Sequence, residues 1–102
     1  MTIHLVRHGQ TEENKLHILQ GHMPGTLTTL GREQVALAAD RLTAKGIAYK
    51  AIVTSDLRRA LDSAEIIAAR LQMPIVPMRE LRERDWGRYT GMTVHEAMSK
   101  YK

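Results

Sequence analysis

The sequence predicts an α/β fold, a three-layer α/β/α arrangement around a mainly parallel sheet, and three observations carry that expectation. Short runs of β-forming residues alternate with longer stretches of helical apolar spacing along all 102 residues. Each helical stretch is long enough to serve as the crossover that parallel neighbours require. With 43% hydrophobic and 25% charged residues the composition fits one soluble globular domain. A chain this short holds a single core, with an expected radius of gyration near ~13 Å.

The elements follow in order. Thr2 to Val6 is a run of β-formers that stops at Arg7-His8-Gly9, which predicts a buried strand emptying into a loop. From Gln10 to Thr29 the chain is polar and broken by Gly21, Pro24 and Gly25, with Leu16, Ile18 and Leu19 as its only apolar cluster, which predicts a long loop with a helical turn. Thr28 or Thr29 then caps a helix whose apolar positions Val35, Ala38, Ala39 and Leu42 share one face, and Gly46 supplies the stop. Ala51 to Thr54 is a second strand. Ser55 is expected to cap a longer helix carrying Leu57, Ala60, Leu61, Ala64, Ile67, Ala68 and Leu71 on one face. Pro74 to Met78 is a third strand kept short by its prolines, the charged stretch Arg79 to Arg84 follows, and a helix begins within Thr93 to Lys102.

Composition excludes several function classes. Cys is absent, so there is no disulfide framework and no thiolate chemistry, and a cytoplasmic location is expected. The N-terminus has no basic and apolar leader pattern, and no apolar run approaches bilayer length, so neither export nor a membrane partner is expected. A net charge of +4 favours anionic partners. Aromatic residues are only 4% and Phe is absent, so the stacking platforms of a single-stranded nucleic-acid binder are missing and no nucleic-acid partner is expected.

The chemistry-bearing residues gather after strand ends, where ligands collect in parallel sheets. Arg7 and His8 follow the first strand. A guanidinium grips phosphate oxygens through paired hydrogen bonds, and a neutral imidazole can attack phosphorus when its other nitrogen is held by a backbone carbonyl. Arg58 and Arg59 fall in the opening turn of a helix, where each cation loses roughly 0.3–1 kcal/mol against the helix dipole unless an anion lies nearby. Asp56, Asp62 and Glu65 suffice to neutralise Arg58, whereas Arg59 is the better candidate for a bound phosphate. Glu83 follows the third strand and can donate a proton to a leaving oxygen. His4 reads as packed in its strand, and His17 and His22 lack metal-ligand spacing, so no metal and no cofactor are expected. Met73, Met78, Met92 and Met98 read as adaptable packing.

The run Leu5-Val6-Arg7-His8-Gly9-Gln10-Thr11-Glu12-Glu13-Asn14 resembles the signature of the histidine phosphatase superfamily, in its phosphoglycerate-mutase-like branch. The resemblance continues through Gln20-Gly21, Leu27-Thr28 with Gly31 and Gln34, Ser55 to Ala60, and Leu81-Arg82-Glu83 with Gly87 and Gly91. It implies that His8 is the residue phosphorylated and Glu83 the proton donor. Arg7 and Arg59 would bind the phosphoryl group, Asn14 would contact it or order the loop, and Gln20 and Gly21 would be substrate-binding positions. Arg58 has no matched role.

The departures are specific. His22-Met23-Pro24-Gly25-Thr26 stands where relatives commonly place an Asp before Pro-Leu-Thr, and Trp86 stands where the mutases show Tyr. The mutases' longer basic substrate segment has no match, which favours a phosphatase over a mutase. The family's second catalytic histidine lies far downstream of Lys102, and His95, on a helical segment, is no substitute. Residues 1–102 are therefore expected to be the N-terminal portion of a single such domain, apparently truncated, acting on a small phosphorylated substrate. A phosphate-binding module without turnover and, last, a basic interaction domain are the competing readings. Open sheet faces and edges predict marginal stability or aggregation, which pairing into a homodimer would relieve.

Overall fold

The computed structural model describes residues 3–100, in the order α1 (Glu12–Lys15), α2 (Thr29–Ala44), β1 (Ile52–Thr54), α3 (Arg58–Leu71), β2 (Ile75–Pro77) and α4 (Val94–Lys100). Single 3₁₀ turns at Arg79–Leu81 and Gly87–Tyr89 lie between β2 and α4.

The β1–α3–β2 unit supplies the parallel sheet. Ile52, Val53 and Thr54 pair in parallel register with Ile75, Val76 and Pro77, and the Met78 amide extends the pairing to the Thr54 carbonyl at 2.7 Å. The packing of α2 against α3 buries Val35, Ala39 and Ile67, with Leu42, Ile52, Ile66 and Leu71 against them. Val35, Ala39, Leu42, Ile67 and Leu71 belong to the apolar faces read from helical spacing, whereas Ile66 lies outside them. Burying each large side chain contributes roughly 1.5–3 kcal/mol, so this small cluster is the centre of stability.

The helix ends follow local chemistry in one case and tertiary contacts in another. Thr28 caps α2 by accepting the Gly31 amide at 2.9 Å, and Gly46, at φ +67°, takes the left-handed conformation that ends it. Ser55 does not cap α3. The N-cap is Leu57, with no side-chain cap bond, and the Ser55 hydroxyl accepts only the Leu57 amide at 3.4 Å. Leu57 is instead buried, so packing sets this boundary.

The first predicted strand is a larger correction. Ile3 to Val6 forms no ladder among the described residues, and Leu5 is 94% exposed. Its apolar letters report a backbone preference, but a strand exists only when a neighbour takes its hydrogen bonds, and among the described residues β1 pairs with β2 and not with this segment. His4 is accordingly exposed, with its ring against Tyr49, rather than packed in a strand. Val53 and Val76 of the sheet are exposed as well. The radius of gyration is 15.1 Å, larger than a compact chain of this length would have, because these segments are not gathered onto the core.

Candidate active site

The loop that follows Val6 is built by glycine contact and capping. A Cβ on Gly9 would stand 2.7 Å from the Gly31 carbonyl carbon, and one on Gly31 would stand 2.8 Å from the Gln10 nitrogen. Only paired glycines let this loop lie directly on the first turn of α2. The glycine beside His8 therefore serves a backbone-to-backbone approach within the protein. The Thr28 amide donates to the Gln10 carbonyl at 3.0 Å, and the Gln10 amide donates to Gln34 Oε1 at 3.0 Å, closing the contact.

Thr11 and Asn14 form a reciprocal capping box on α1. The Asn14 amide donates to Thr11 Oγ1 and the Thr11 amide to Asn14 Oδ1, both at 3.0 Å. Thr11 is completely buried, and its hydroxyl donates a hydrogen bond to Gln20 Oε1 at 3.0 Å. Asn14 thus orders the loop and also lines the cleft described below. Thr11 and Gln20 both stand at positions the resemblance matches, but no local rule couples them into this buried pair.

Arg59 is 3% exposed, and its guanidinium bonds the same loop through two of its donors. Nη1 donates to the Met23 carbonyl at 2.6 Å and Nη2 to the Gly21 carbonyl at 2.8 Å. One turn later Ser63 donates its hydroxyl to the Arg59 carbonyl at 2.8 Å and accepts the Gly9 amide at 3.1 Å, which brings His8 beside the start of α3. Burial makes the charge on Arg59 costly and lowers its pKa, with Glu83 and Glu13 acting in the opposite sense. Arg58, as the sequence suggested, pairs on the surface with Asp62 at 3.0 Å.

His8 is held in one orientation by Nδ1, which donates to the Gly9 carbonyl at 2.7 Å and leaves the Nε2 lone pair free. Burial depresses its pKa most; the Arg59 and Arg7 charges lower it further, while the Gly9 bond and the Glu83 charge raise it. The neutral, nucleophilic form is therefore favoured. Because the folded state holds His8 neutral while the unfolded chain protonates near pH ~6.5, stability from this group is complete above that pH and is lost as pH falls below it. The urea midpoint is expected to drop less between pH 7 and pH 5.5 in His8→Asn than in the parent chain; equal drops would exclude His8 as a source.

Glu83 lies on an exposed segment pinned from both sides. Arg82 grips Asp56 through Nε and Nη2 at 2.5 and 2.9 Å, which holds the Asp56 carboxyl below the usual range and ties the segment to the turn before α3. His22 Nε2 donates to the Glu83 carbonyl at 2.8 Å, so the loop that carries Arg59's acceptors also positions the acid-bearing segment. Sequence reasoning set His22 aside because it looked only for metal spacing.

Of the expected site residues, Arg7, His8 and Asn14 line a cleft of about 390 Å³, together with Gln10, His17 and Gln34. Arg59, Gln20 and Gly21 form a buried cluster that does not line it, and Glu83 lies outside it too, although the charges of Arg59 and Glu83 reach His8. His17 was overlooked as a loop residue; its φ of +56° is the structural mark that sets it apart.

A family model for the histidine phosphatase superfamily (branch 1) matches residues 3–102. The chain belongs to this superfamily. This superfamily member is similar to the phosphoglycerate mutase-like protein 4 of Arabidopsis thaliana, with 38% identity over 91% of the chain and 40% of that protein. Against the glucosyl-3-phosphoglycerate phosphatase of Mycolicibacterium vanbaalenii the identity is 43%, over 87% of the chain and 39% of the relative. A solved mycobacterial glucosyl-3-phosphoglycerate phosphatase complexed with VO3 matches with a TM-score of 0.84 and 34% identity, covering 92% of the chain and 46% of that structure. The histidine phosphatase chain thus spans less than half the length of these relatives. Among its described residues no helix is long and apolar enough to cross a membrane.

Proposed function

We propose that this chain carries the nucleophile-bearing, N-terminal portion of one histidine phosphatase domain, a phosphate monoester hydrolase that works through a phosphohistidine, without metal or cofactor, in the cytoplasm. His8 Nε2 attacks phosphorus in line while Glu83 protonates the leaving oxygen. Water then attacks the phosphohistidine and gives its proton to Glu83, which releases phosphate and restores both groups. Arg7 and Arg59 hold the equatorial oxygens, Asn14 contacts the phosphoryl group and orders its loop, and Gln20 and Gly21 border the substrate.

The observation that carries this reading is the Nδ1 bond of His8 to the Gly9 carbonyl at 2.7 Å, within a cationic neighbourhood that disfavours protonation. Two bonds of Arg59 go to loop carbonyls, which leaves three of its five N–H donors for an oxyanion. Hydrolysis is favoured over mutase transfer by Trp86, which replaces the mutases' Tyr, and by the absent basic substrate segment. The uncovered apolar residues Leu5, Val6, Val53 and Val76 mark where the rest of such a domain, or a second copy, packs.

The test is incubation with phosphoramidate followed by intact-mass measurement and peptide mapping. An acid-labile, base-stable phosphoryl group on His8 is expected. Protection by inorganic phosphate without any labelling would replace the hydrolase with a phosphate-binding module.

A further inference from the structure

The step from Gly21 to His22 touches both Arg59 and the segment that carries Glu83. The Gly21 carbonyl accepts Arg59 Nη2 at 2.8 Å. A Cβ on Gly21 would stand 3.1 Å from the Trp86 nitrogen and 3.2 Å from the Arg84 carbonyl oxygen, so the loop lies directly on the backbone just past Glu83. The next residue reaches the same backbone by its side chain, His22 Nε2 donating to the Glu83 carbonyl at 2.8 Å. A carbonyl oxygen can only accept, so this bond places a proton on Nε2.

Glu83 depends on that support. Among the described residues no ion pair holds its carboxylate, although its charge is felt at both His8 and Arg59. Its direction therefore follows from its backbone, which is fastened on each side. Before it, Arg82 grips Asp56 at 2.5 and 2.9 Å and ties the segment to the turn that precedes α3. After it, the His22 bond fixes the peptide plane that leaves Glu83.

We propose that His22 is a positioning residue for acid catalysis, holding Glu83 where its proton reaches the oxygen that leaves a phosphoryl group bound by Arg59. The role rests on the hydrolase reading above. His22 touches neither phosphorus nor the leaving oxygen and acts only through the Glu83 carbonyl. Its loss weakens proton donation and spares the attack of His8 Nε2. The bond lies at the surface, so water takes the carbonyl when the imidazole is removed and folding loses little.

Two phosphodonors separate the two steps. Dinitrophenolate leaves phosphorus unprotonated, whereas the oxygen that leaves phenyl phosphate takes the proton of Glu83 as its bond to phosphorus breaks. Intact mass reads the rate of His8 phosphorylation by each donor in the parent chain, His22→Leu, His22→Gln, Glu83→Gln and the double variant of His22→Leu with Glu83→Gln. His22→Leu is expected to slow labelling by phenyl phosphate on the order of tenfold and labelling by dinitrophenyl phosphate less than about threefold. His22→Gln, whose carboxamide N–H meets the same carbonyl, restores the phenyl phosphate rate. In the Glu83→Gln background the leucine has no further effect. Equal slowing with both donors, no slowing with either, no rescue by glutamine, or a loss that persists without Glu83 overturns the positioning role. A parent chain that neither donor labels at His8 overturns the hydrolase reading instead, so the two failures are distinct.

Discussion

Arg59→Met is expected to lower stability by about 2–5 kcal/mol and to slow phosphorylation of His8 by about 10²–10³-fold. The stability loss has a definite origin. Methionine fills much of the same volume, but it leaves the Gly21 and Met23 carbonyls without the donors that meet them at 2.8 and 2.6 Å. A buried carbonyl stripped of its partner costs roughly 1–3 kcal/mol, and two are stripped here. The rate loss has a separate origin, the removal of a cation whose charge reaches His8. Arg59→Lys separates the two: an ammonium keeps the charge but cannot span both carbonyls in the planar fork geometry. Urea denaturation and the rate of phosphoramidate labelling read the two effects independently. A stability loss with an unchanged labelling rate would reduce Arg59 to a loop staple.

Gly31→Ala is expected to cost about 3 kcal/mol and, in a chain with so small a core, to abolish the cooperative unfolding transition. The added Cβ meets backbone, 2.8 Å from the Gln10 nitrogen and 2.9 Å from its carbonyl carbon, so no rotamer change relieves the clash. The loop must lift from α2, breaking the Thr28 to Gln10 bond at 3.0 Å and moving His8 with it. Gly46→Ala is the control. Nothing lies within 4 Å of its added Cβ, and only the strain of φ +67° is felt, about 1 kcal/mol. Circular dichroism during urea titration compares the two. A Gly31→Ala chain as stable as Gly46→Ala would show that the loop does not depend on this contact.

Much of the site was legible because its chemistry is local. His8 follows Arg7 in one loop, Thr11 and Asn14 stand three apart as a capping box requires, and Arg59 is a cation at a helix start that asks for a compensating partner. That partner is in the first place the carbonyls of Gly21 and Met23, which no local rule connects to a residue more than thirty positions away. His22 and Gln34 were illegible as site residues for the same reason. Each acts through one long-range hydrogen bond, His22 to Glu83 and Gln34 to Gln10.

What the letters alone determined is periodic or capped. The faces of α2 and α3, the Thr28 cap and the short parallel pair β1–β2 follow from spacing and from residues within a few positions of one another. What required the tertiary structure is everything that depends on a partner distant in the chain. Residues 3–6 have strand composition and no strand, because the hydrogen bonds of a strand belong to its neighbour. The start of α3 moved from Ser55 to Leu57 because burial outweighed a cap, and the close seating of the His8 loop on α2 emerged only when Gly9 and Gly31 were seen face to face.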